Sequence, residues 1–148
     1  RYRDCADGDV LLSPPVLLGA GVAMVIVPEG TRARRQAPPF LSEGKTGVAR
    51  LAASHPDVPV HPAAILGARE VMAPRDKIIR FGKRVDVTYG EGITWNEWVV
   101  HPNGGDQDEE SIRAIIESDE QGRRDRMGVL YRRFTDQVIG TLAALGAP

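Results

Sequence analysis

The spacing of apolar residues changes from one segment of this chain to the next, and it indicates the secondary structure. An uncharged stretch from Val10 to Val27 ends in the β-branched run Val25-Ile26-Val27. Its 18 residues reach the lower limit of a transmembrane helix, but prolines and glycines interrupt it. We therefore favour a short helix over Val16–Ala20 and a buried strand over Ala23–Val27, in preference to a membrane span.

Three further segments alternate between helical and strand spacing. Residues 45–53 carry apolar side chains at helical spacing, which predicts a helix. The apolar run at 63–66 follows prolines at 59 and 62, which is typical of an edge strand. Residues 84–89 alternate apolar and polar side chains, as in a half-buried strand. This order of elements favours an α/β fold.

The last third of the chain is first polar and then amphipathic. The polar insert 101–126 contains a Pro/Gly turn followed by an acidic run that opens a helix. From residue 124 to residue 145 apolar residues recur every three or four positions, which predicts an amphipathic helix packed on a core. We expect residues 18–148 to form part of a single domain and leave residues 1–17 unassigned.

The charge distribution limits the possible partners. Residues 28–93 hold 11 basic and 7 acidic side chains, whereas residues 94–148 hold 6 basic and 10 acidic ones. The basic middle suits an anionic small molecule or a membrane surface, but its excess is too slight to indicate a nucleic acid. Cys5 is the single cysteine, so we expect no disulfide framework and no metal site. We also expect the protein to be in a reducing compartment.

The loop after the first predicted strand carries the candidate binding chemistry. Pro28-Glu29-Gly30-Thr31-Arg32 directly follows the β-branched run, and buried strands of α/β sheets present ligand-binding groups just past their carboxyl ends. Gly30 allows the backbone to approach a ligand closely. Arg32 offers a planar fork of donors suited to a phosphate. The segment therefore predicts an oxyanion-binding loop.

The same loop and the segments after it resemble those of a known family. Val27–Arg32 looks like the EGTR motif of the glycerolipid acyltransferases, the 1-acylglycerol-3-phosphate (lysophosphatidic acid) acyltransferase family. Phe40–Ala52 is similar to the family's Phe-Lys-x-Gly-x-x-Arg-Leu-Ala segment. Val58–Ile65 resembles its proline-bearing fourth motif, and Val85–Ile93 resembles its closing strand and turn. These blocks follow one another in the order that the family shows.

The resemblance implies a fold and a reaction. The fold is a central, mostly parallel sheet flanked by helices, here truncated at its amino terminus. The reaction transfers a fatty acyl group from an acyl-CoA or acyl-carrier-protein thioester to lysophosphatidic acid or a related glycerol phosphate, without a further cofactor. The partners would be the lipid acceptor, the thioester donor and the cytoplasmic surface of a membrane, to which the protein would bind peripherally. Pro28 and Pro62 would shape the pocket.

The resemblance also implies roles for the residues of the loop. Arg32 would bind the phosphate of the acceptor, supported by Thr31 and by the backbone of Gly30. Glu29 would orient Arg32 or the loop, and Lys45 would add positive potential. These five residues are the candidate phosphate-binding set.

The general base that the family uses is missing from its expected place. In the family, the histidine of an His-x-x-x-x-Asp motif ahead of EGTR removes the proton of the acceptor hydroxyl, yet no histidine precedes Glu29 here. His101 and Asp106 have the right spacing, but they follow the motif in a Pro/Gly turn, and we interpret them as a turn and helix cap. We therefore assign no catalytic residue and expect this chain to be inactive alone. The alternative is a non-catalytic module that binds lipid phosphate or a partner.

Overall fold

Five helices and two short strands make up the regular structure of the described residues. The structure is a computed structural model and describes residues 18–19, 21–30, 41–73, 76 and 78–147. In chain order, the elements are α1 (Gly47–Ser54), β1 (Ala63–Leu66), α2 (Ala68–Val71), β2 (Asp86–Tyr89), α3 (Trp95–Val100), α4 (Glu109–Glu117) and α5 (Glu120–Ala144).

Helix α5 organises the core. The prediction of a helix over 124–145 is confirmed, although α5 begins earlier, at its N-cap Asp119, whose side chain accepts a hydrogen bond from the Gly122 amide. Its buried face packs against the two tryptophans of α3, and Trp98 meets Phe134 edge to face with ring centroids 5.0 Å apart. The indole nitrogen of Trp98 donates a hydrogen bond to Gln137, so this large buried ring leaves no unpaired donor.

Helix α1 packs on the same core. The helix predicted over 45–53 is confirmed and begins at Gly47. Val48, Ala49 and Ala52 are buried, as expected for the apolar face of an amphipathic helix, and Arg50 lies on the opposite, exposed side. This packing fixes the position of the residues that precede α1, and two of the predicted site segments meet there.

The predicted central, mostly parallel sheet flanked by helices is wrong for this structure. The edge strand predicted at 63–66 is confirmed as β1, but it pairs with β2 in antiparallel register, Ala63 opposite Tyr89 and Leu66 opposite Asp86. Among the described residues the sheet has these two strands alone. A parallel pair requires a crossover that returns the chain to the start of the first strand. Residues 67–85 instead bring the chain back beside the end of β1.

Gly67 shows why the chain turns where it does. Its φ of +76° lies in the left-handed region, which side-chain-bearing residues rarely adopt. A Cβ atom at this position would also collide with the carbonyl oxygen of Arg84. The reversal after β1 therefore depends on a residue without a side chain.

The buried strand predicted over Ala23–Val27 is also wrong. This segment forms no strand among the described residues, and Val25 is 95% exposed. A buried strand needs hydrogen-bonding neighbours at its edges and apolar cover on its faces, and the described part of the fold supplies neither here. The helix predicted over Val16–Ala20 lies outside the described residues, apart from helical residues 18 and 19.

No helix in the described part of the chain is both long and apolar enough to cross a bilayer. Helix α5, with 25 residues, has sufficient length, but arginines and acidic residues recur along it. Leu130, Phe134, Val138 and Leu142 of this helix are buried in the core, so its amphipathic pattern is explained by packing within the domain.

Candidate functional site

The candidate site lies where two segments meet ahead of α1. Pro28, Glu29 and Gly30 belong to the first segment, and residues 41–46 form the second. Thr31 and Arg32, which complete the predicted phosphate-binding motif, lie outside the described residues. The geometry of the site therefore comes from Glu29, Gly30 and the residues that contact them.

Two hydrogen bonds hold the segments together. The carboxylate of Glu29 accepts a hydrogen bond from the main-chain amide of Ser42 at 2.8 Å. The amide of Lys45 donates to the carbonyl oxygen of Pro28 at 2.7 Å. A hydrogen bond from an amide to a carboxylate is of the stronger, charge-assisted kind. The residues that look like EGTR are thus joined to the block that resembles the second part of the family pattern.

The side chain of Lys45 lies along Gly30. Gly30 has a φ of +72°, and a Cβ placed on it would be 3.0 Å from Cδ and Cε of Lys45 and 3.2 Å from its Nζ. Any other residue at position 30 would therefore be strained in its backbone and would displace the lysine. Glycine here leaves room for an ammonium group beside the loop.

The donors of this loop differ in their availability to an anion. The amide of Gly30 donates to the carbonyl oxygen of Val27 at 3.0 Å, so the turn already uses it. Within the described residues the ammonium of Lys45 has no hydrogen-bond or ion-pair partner. An ammonium carries three donors and a full positive charge, so Lys45 is the described group best suited to bind a phosphate oxygen.

Helix α5 supports the second segment through Arg132. Its guanidinium donates to the carbonyl oxygen of Gly44 at 2.7 Å and lies 3.1 Å from a carboxylate oxygen of Glu43. Asp136, one turn further along the helix, accepts hydrogen bonds from the other guanidinium nitrogens. The fork geometry of arginine allows these contacts at once, so the segment before Lys45 is tied to the core helix.

Gly44 brings the backbone close to α5. A Cβ atom at this position would lie 2.7 Å from Cγ2 of Thr135 and 2.8 Å from Cγ1 of Ile139. Thr135 is fully buried, and its hydroxyl donates to the carbonyl oxygen of Tyr131, which leaves its methyl group to face the segment. The segment therefore rests directly on the helix surface, and its position is set by packing as well as by Arg132.

The sequence does not indicate the two residues that hold this site together, Ser42 and Arg132. Ser42 contributes a main-chain amide, which every non-proline residue has, so its identity carries no signal. Arg132 is separated from Gly44 by 88 positions, and its spacing to Asp136 predicts only a pair within one helix. Neither contact could be found without the tertiary fold.

The structure places Pro62 apart from this cluster. Pro62 is buried at the entrance to β1, where its carbonyl oxygen accepts a hydrogen bond from the Gly90 amide at 2.8 Å. Its described contacts are with the end of the sheet rather than with Gly30 or Lys45. Pro28, by contrast, belongs to the cluster through the hydrogen bond from Lys45.

The histidines of the chain occupy local turns and ends of elements. His101 and Asp106 form a turn closed by main-chain hydrogen bonds, which confirms the predicted turn. The predicted helix cap is wrong for these residues, because the N-cap of α4 is Asp108. The ring of His101 accepts a hydrogen bond from the Asn103 amide. His55 follows α1 and contacts the Ser54 hydroxyl, and His61 packs over Gly92. These contacts are those of turn and surface residues.

Comparison of the chain with protein-family models, with curated proteins and with solved structures gave no match in any of the three.

Proposed function

We propose that this chain is the acceptor-binding part of a glycerolipid acyltransferase, an enzyme that moves a fatty acyl group from an acyl-CoA or acyl-carrier-protein thioester to lysophosphatidic acid or a related glycerol phosphate. The ammonium of Lys45 and the guanidinium of Arg32 bind the phosphate of the acceptor. Glu29 holds the loop through the Ser42 amide, and Thr31 supports Arg32.

One observation carries this proposal: Lys45 lies against Gly30 with its ammonium unpaired among the described residues. Two sequence blocks that resemble consecutive parts of the acyltransferase pattern meet at this point, through Glu29 and Ser42. We rest the proposal on this loop rather than on the fold, because the antiparallel two-stranded sheet is not what the family resemblance implies.

The proposed role of the chain is binding rather than proton transfer. Acyl transfer forms a bond between the acceptor oxygen and the acyl carbon, breaks the thioester bond to sulfur, and sends the hydroxyl proton to a base within hydrogen-bond reach. No histidine precedes Glu29, and we assign no catalytic residue. We therefore expect this chain to bind the acceptor without transferring an acyl group.

A second candidate is a non-catalytic module that binds lipid phosphate or a partner. The antiparallel two-stranded sheet favours it, because this sheet differs from the one that the family resemblance implies. A module that binds lipid phosphate would use the same loop as the enzyme fragment, whereas a module that binds only a protein partner would not bind glycerol 3-phosphate. The two candidates differ when the chain is mixed with a segment that supplies the His-x-x-x-x-Asp motif, since acyl transfer in that mixture supports the enzyme fragment alone. In either case we place the protein peripherally on the cytoplasmic side of a membrane, where the acceptor lipid is.

Calorimetric titration with glycerol 3-phosphate tests the proposal. We expect saturable binding to the chain, and no binding of glycerol, which lacks the phosphate. Lys45→Gln should raise the dissociation constant by about tenfold or more, because losing a charge-assisted contact costs about 1.5–3 kcal/mol. Arg32→Ala should have a similar effect.

The matched control for charge is Arg113→Gln. Arg113 is exposed in α4, and this variant removes the same positive charge at a distance from the loop in sequence. If Arg113→Gln and Lys45→Gln weaken binding equally, the effect is one of net charge, and the assignment of Lys45 fails. No binding of glycerol 3-phosphate to the unmodified chain would overturn the proposed function itself.

A further inference from the structure

Large apolar side chains are exposed in the loop between α2 and β2. Ile78 is 78% exposed and Phe81 is 92% exposed, and Ile79 and Val85 are each about half exposed. Single exposed apolar residues are common on protein surfaces, but four within eight consecutive positions form a patch. We call residues 78–85 the exposed loop.

The sheet extends this patch. The sequence predicts a half-buried strand at 84–89, and the alternation is confirmed, but its apolar side is the more exposed one. Val87 and Tyr89 are exposed, and Ile65, which lies opposite Val87 in β1, is exposed beside them. Asp86 and Thr88, on the other side of the strand, are partly covered. We call Ile65, Val87 and Tyr89 the apolar sheet face.

Positive charges are interleaved with these apolar side chains. The exposed loop contains Arg80, Lys83 and Arg84 and no acidic residue. Arg80 pairs with Asp76 at 2.9 Å and Arg84 with Asp86 at 2.6 Å, and both arginines are largely exposed. Exposed pairs are weak in water, so the cations can exchange their partners for the phosphate groups of a ligand at little cost.

The combination of charge and apolar surface selects one kind of partner. In a symmetric dimer this face would meet its own copy, in which two of the three cations already have acidic partners. Lys83 has no acidic partner among the described residues and would gain none from the exposed loop of the second copy, which disfavours self-association through this face. A nucleic acid would neutralise the cations, but its phosphates and base edges offer no favourable place for Ile78, Ile79 and Val87. The interface of a bilayer that contains anionic lipid suits both the cations and the apolar side chains. Its phosphates bind the cations, and apolar side chains can enter the layer below the phosphates.

We propose that the exposed loop and the apolar sheet face dock on the surface of a membrane that contains anionic lipid. Ile78 and Phe81 enter the boundary between headgroups and acyl chains, and Lys83 and the two arginines contact lipid phosphates. The docking proposal rests on the proposed function in one respect, because that function places the protein at a membrane. The docking surface consists of different residues from the acceptor loop, so membrane docking and acceptor binding can be tested separately.

Co-sedimentation of the full chain with vesicles tests the docking surface. Vesicles of phosphatidylcholine with about one quarter phosphatidylserine should bind the chain, and vesicles of phosphatidylcholine alone should bind it about tenfold less. Replacing both Ile78 and Phe81 by serine should lower binding to the anionic vesicles by about tenfold or more. The matched control is Val129→Ser, which removes an exposed apolar side chain from α5 and should leave vesicle binding unchanged.

A second measurement uses a conservative variant that keeps the surface apolar. The indole of Phe81→Trp should be quenched by brominated lipid in anionic vesicles, whereas Trp95 and Trp98 are buried in the core and should remain unquenched. An absence of quenching, or equal binding of the Ile78/Phe81 double variant and the unmodified chain, overturns the docking surface. Binding to an RNA oligomer but not to vesicles also overturns it.

The two proposals are separated by measuring the unmodified chain in both assays. Binding of glycerol 3-phosphate without vesicle binding overturns the docking surface and leaves the acceptor loop standing. Vesicle binding without binding of glycerol 3-phosphate supports the docking surface and overturns the proposed function.

Discussion

The carboxylate of Glu29 and the main-chain amide of Ser42 are joined by a hydrogen bond of 2.8 Å across 13 positions of sequence. This bond and the one from Lys45 to Pro28 join the segment that contains Gly30 to the residues that precede α1. A carboxylate in a loop proposed to bind an anion would repel its ligand if it were free. Bonded to an amide, it serves instead to hold the segment that carries the ammonium.

We expect Glu29→Ala to lower the free energy of unfolding by about 1–2 kcal/mol, because a partly buried amide loses its charged acceptor. Glu29→Gln keeps an oxygen acceptor and loses only the charge, so about half of that loss is expected. Urea unfolding of the three proteins measures both values. Equal stability of the alanine variant and the unmodified chain would show that this bond does not hold the loop.

Arg132 should affect binding of the acceptor without touching it. Arg132→Ala releases the Gly44 carbonyl from α5, so we expect a dissociation constant for glycerol 3-phosphate raised by about three- to tenfold, since a binding group loses precision when its support is removed. Titration calorimetry gives the value. Arg124→Ala is the matched control, because Arg124 pairs with Glu120 on the same helix. If both variants weaken binding equally, Arg132 has no positioning role.

We expect replacement of glycine by alanine to have opposite effects on stability at Gly44 and at Gly128. Gly44→Ala would place a methyl group 2.7 Å from Thr135, so we expect a loss of about 1–3 kcal/mol in unfolding free energy. Gly128 lies within α5 and faces open space, so Gly128→Ala should stabilise the protein by up to about 1 kcal/mol through helix propensity. Thermal unfolding compares the two. A neutral Gly44→Ala would mean that the segment does not pack on α5.

The capping box at the start of α3 predicts a specific dependence of stability on pH. Hydrogen bonds from the backbone amide and then from the hydroxyl of Thr94 lower the pKa of Glu97 below its ordinary value of 4.5. The unfolded chain therefore binds the proton more readily than the folded one. The stabilisation is complete above pH 4.5 and is lost as the pH falls through the lower pKa of the folded state.

Glu97→Gln tests this dependence, because glutamine accepts the same hydrogen bonds but does not titrate. Urea unfolding between about pH 6 and pH 3 should show a smaller decrease in stability for the variant than for the unmodified chain. Asp108, whose pKa is lowered by its hydrogen bonds with the side chain and backbone of Ser111, remains in both proteins and supplies the residual slope. Identical slopes would exclude a contribution from Glu97.

The spacing of apolar residues correctly predicted those helices and strands whose apolar side chains pack within the described fold. Helix α5 follows from apolar residues at helical spacing, and β1 follows from an apolar run bounded by prolines and Gly67. The Val25 segment has the composition of a buried strand, but burial requires neighbouring strands, which composition cannot supply. In β2 the alternation revealed two different faces and could not reveal which one meets the core.

The candidate site was predictable in part for the same reason. Glu29, Gly30 and Lys45 stand out by residue type and by their order along the chain. Their arrangement depends on the contact of Ser42 with Glu29 and of Arg132 with Gly44, and both join residues that are far apart in sequence. The residue types of the candidate site could therefore be predicted from the sequence, whereas the contact between Lys45 and Gly30 could not.

An amide NMR titration of the isotope-labelled chain with glycerol 3-phosphate shows residue by residue whether an anion binds beside Gly30. We predict saturable shifts at the amides of Gly30, Ser42 and Lys45 that share one dissociation constant, with no comparable shifts in α4. An absence of shifts at these three amides, or shifts of equal size at the amides of basic residues over the whole surface, would show that the anion does not bind at this loop.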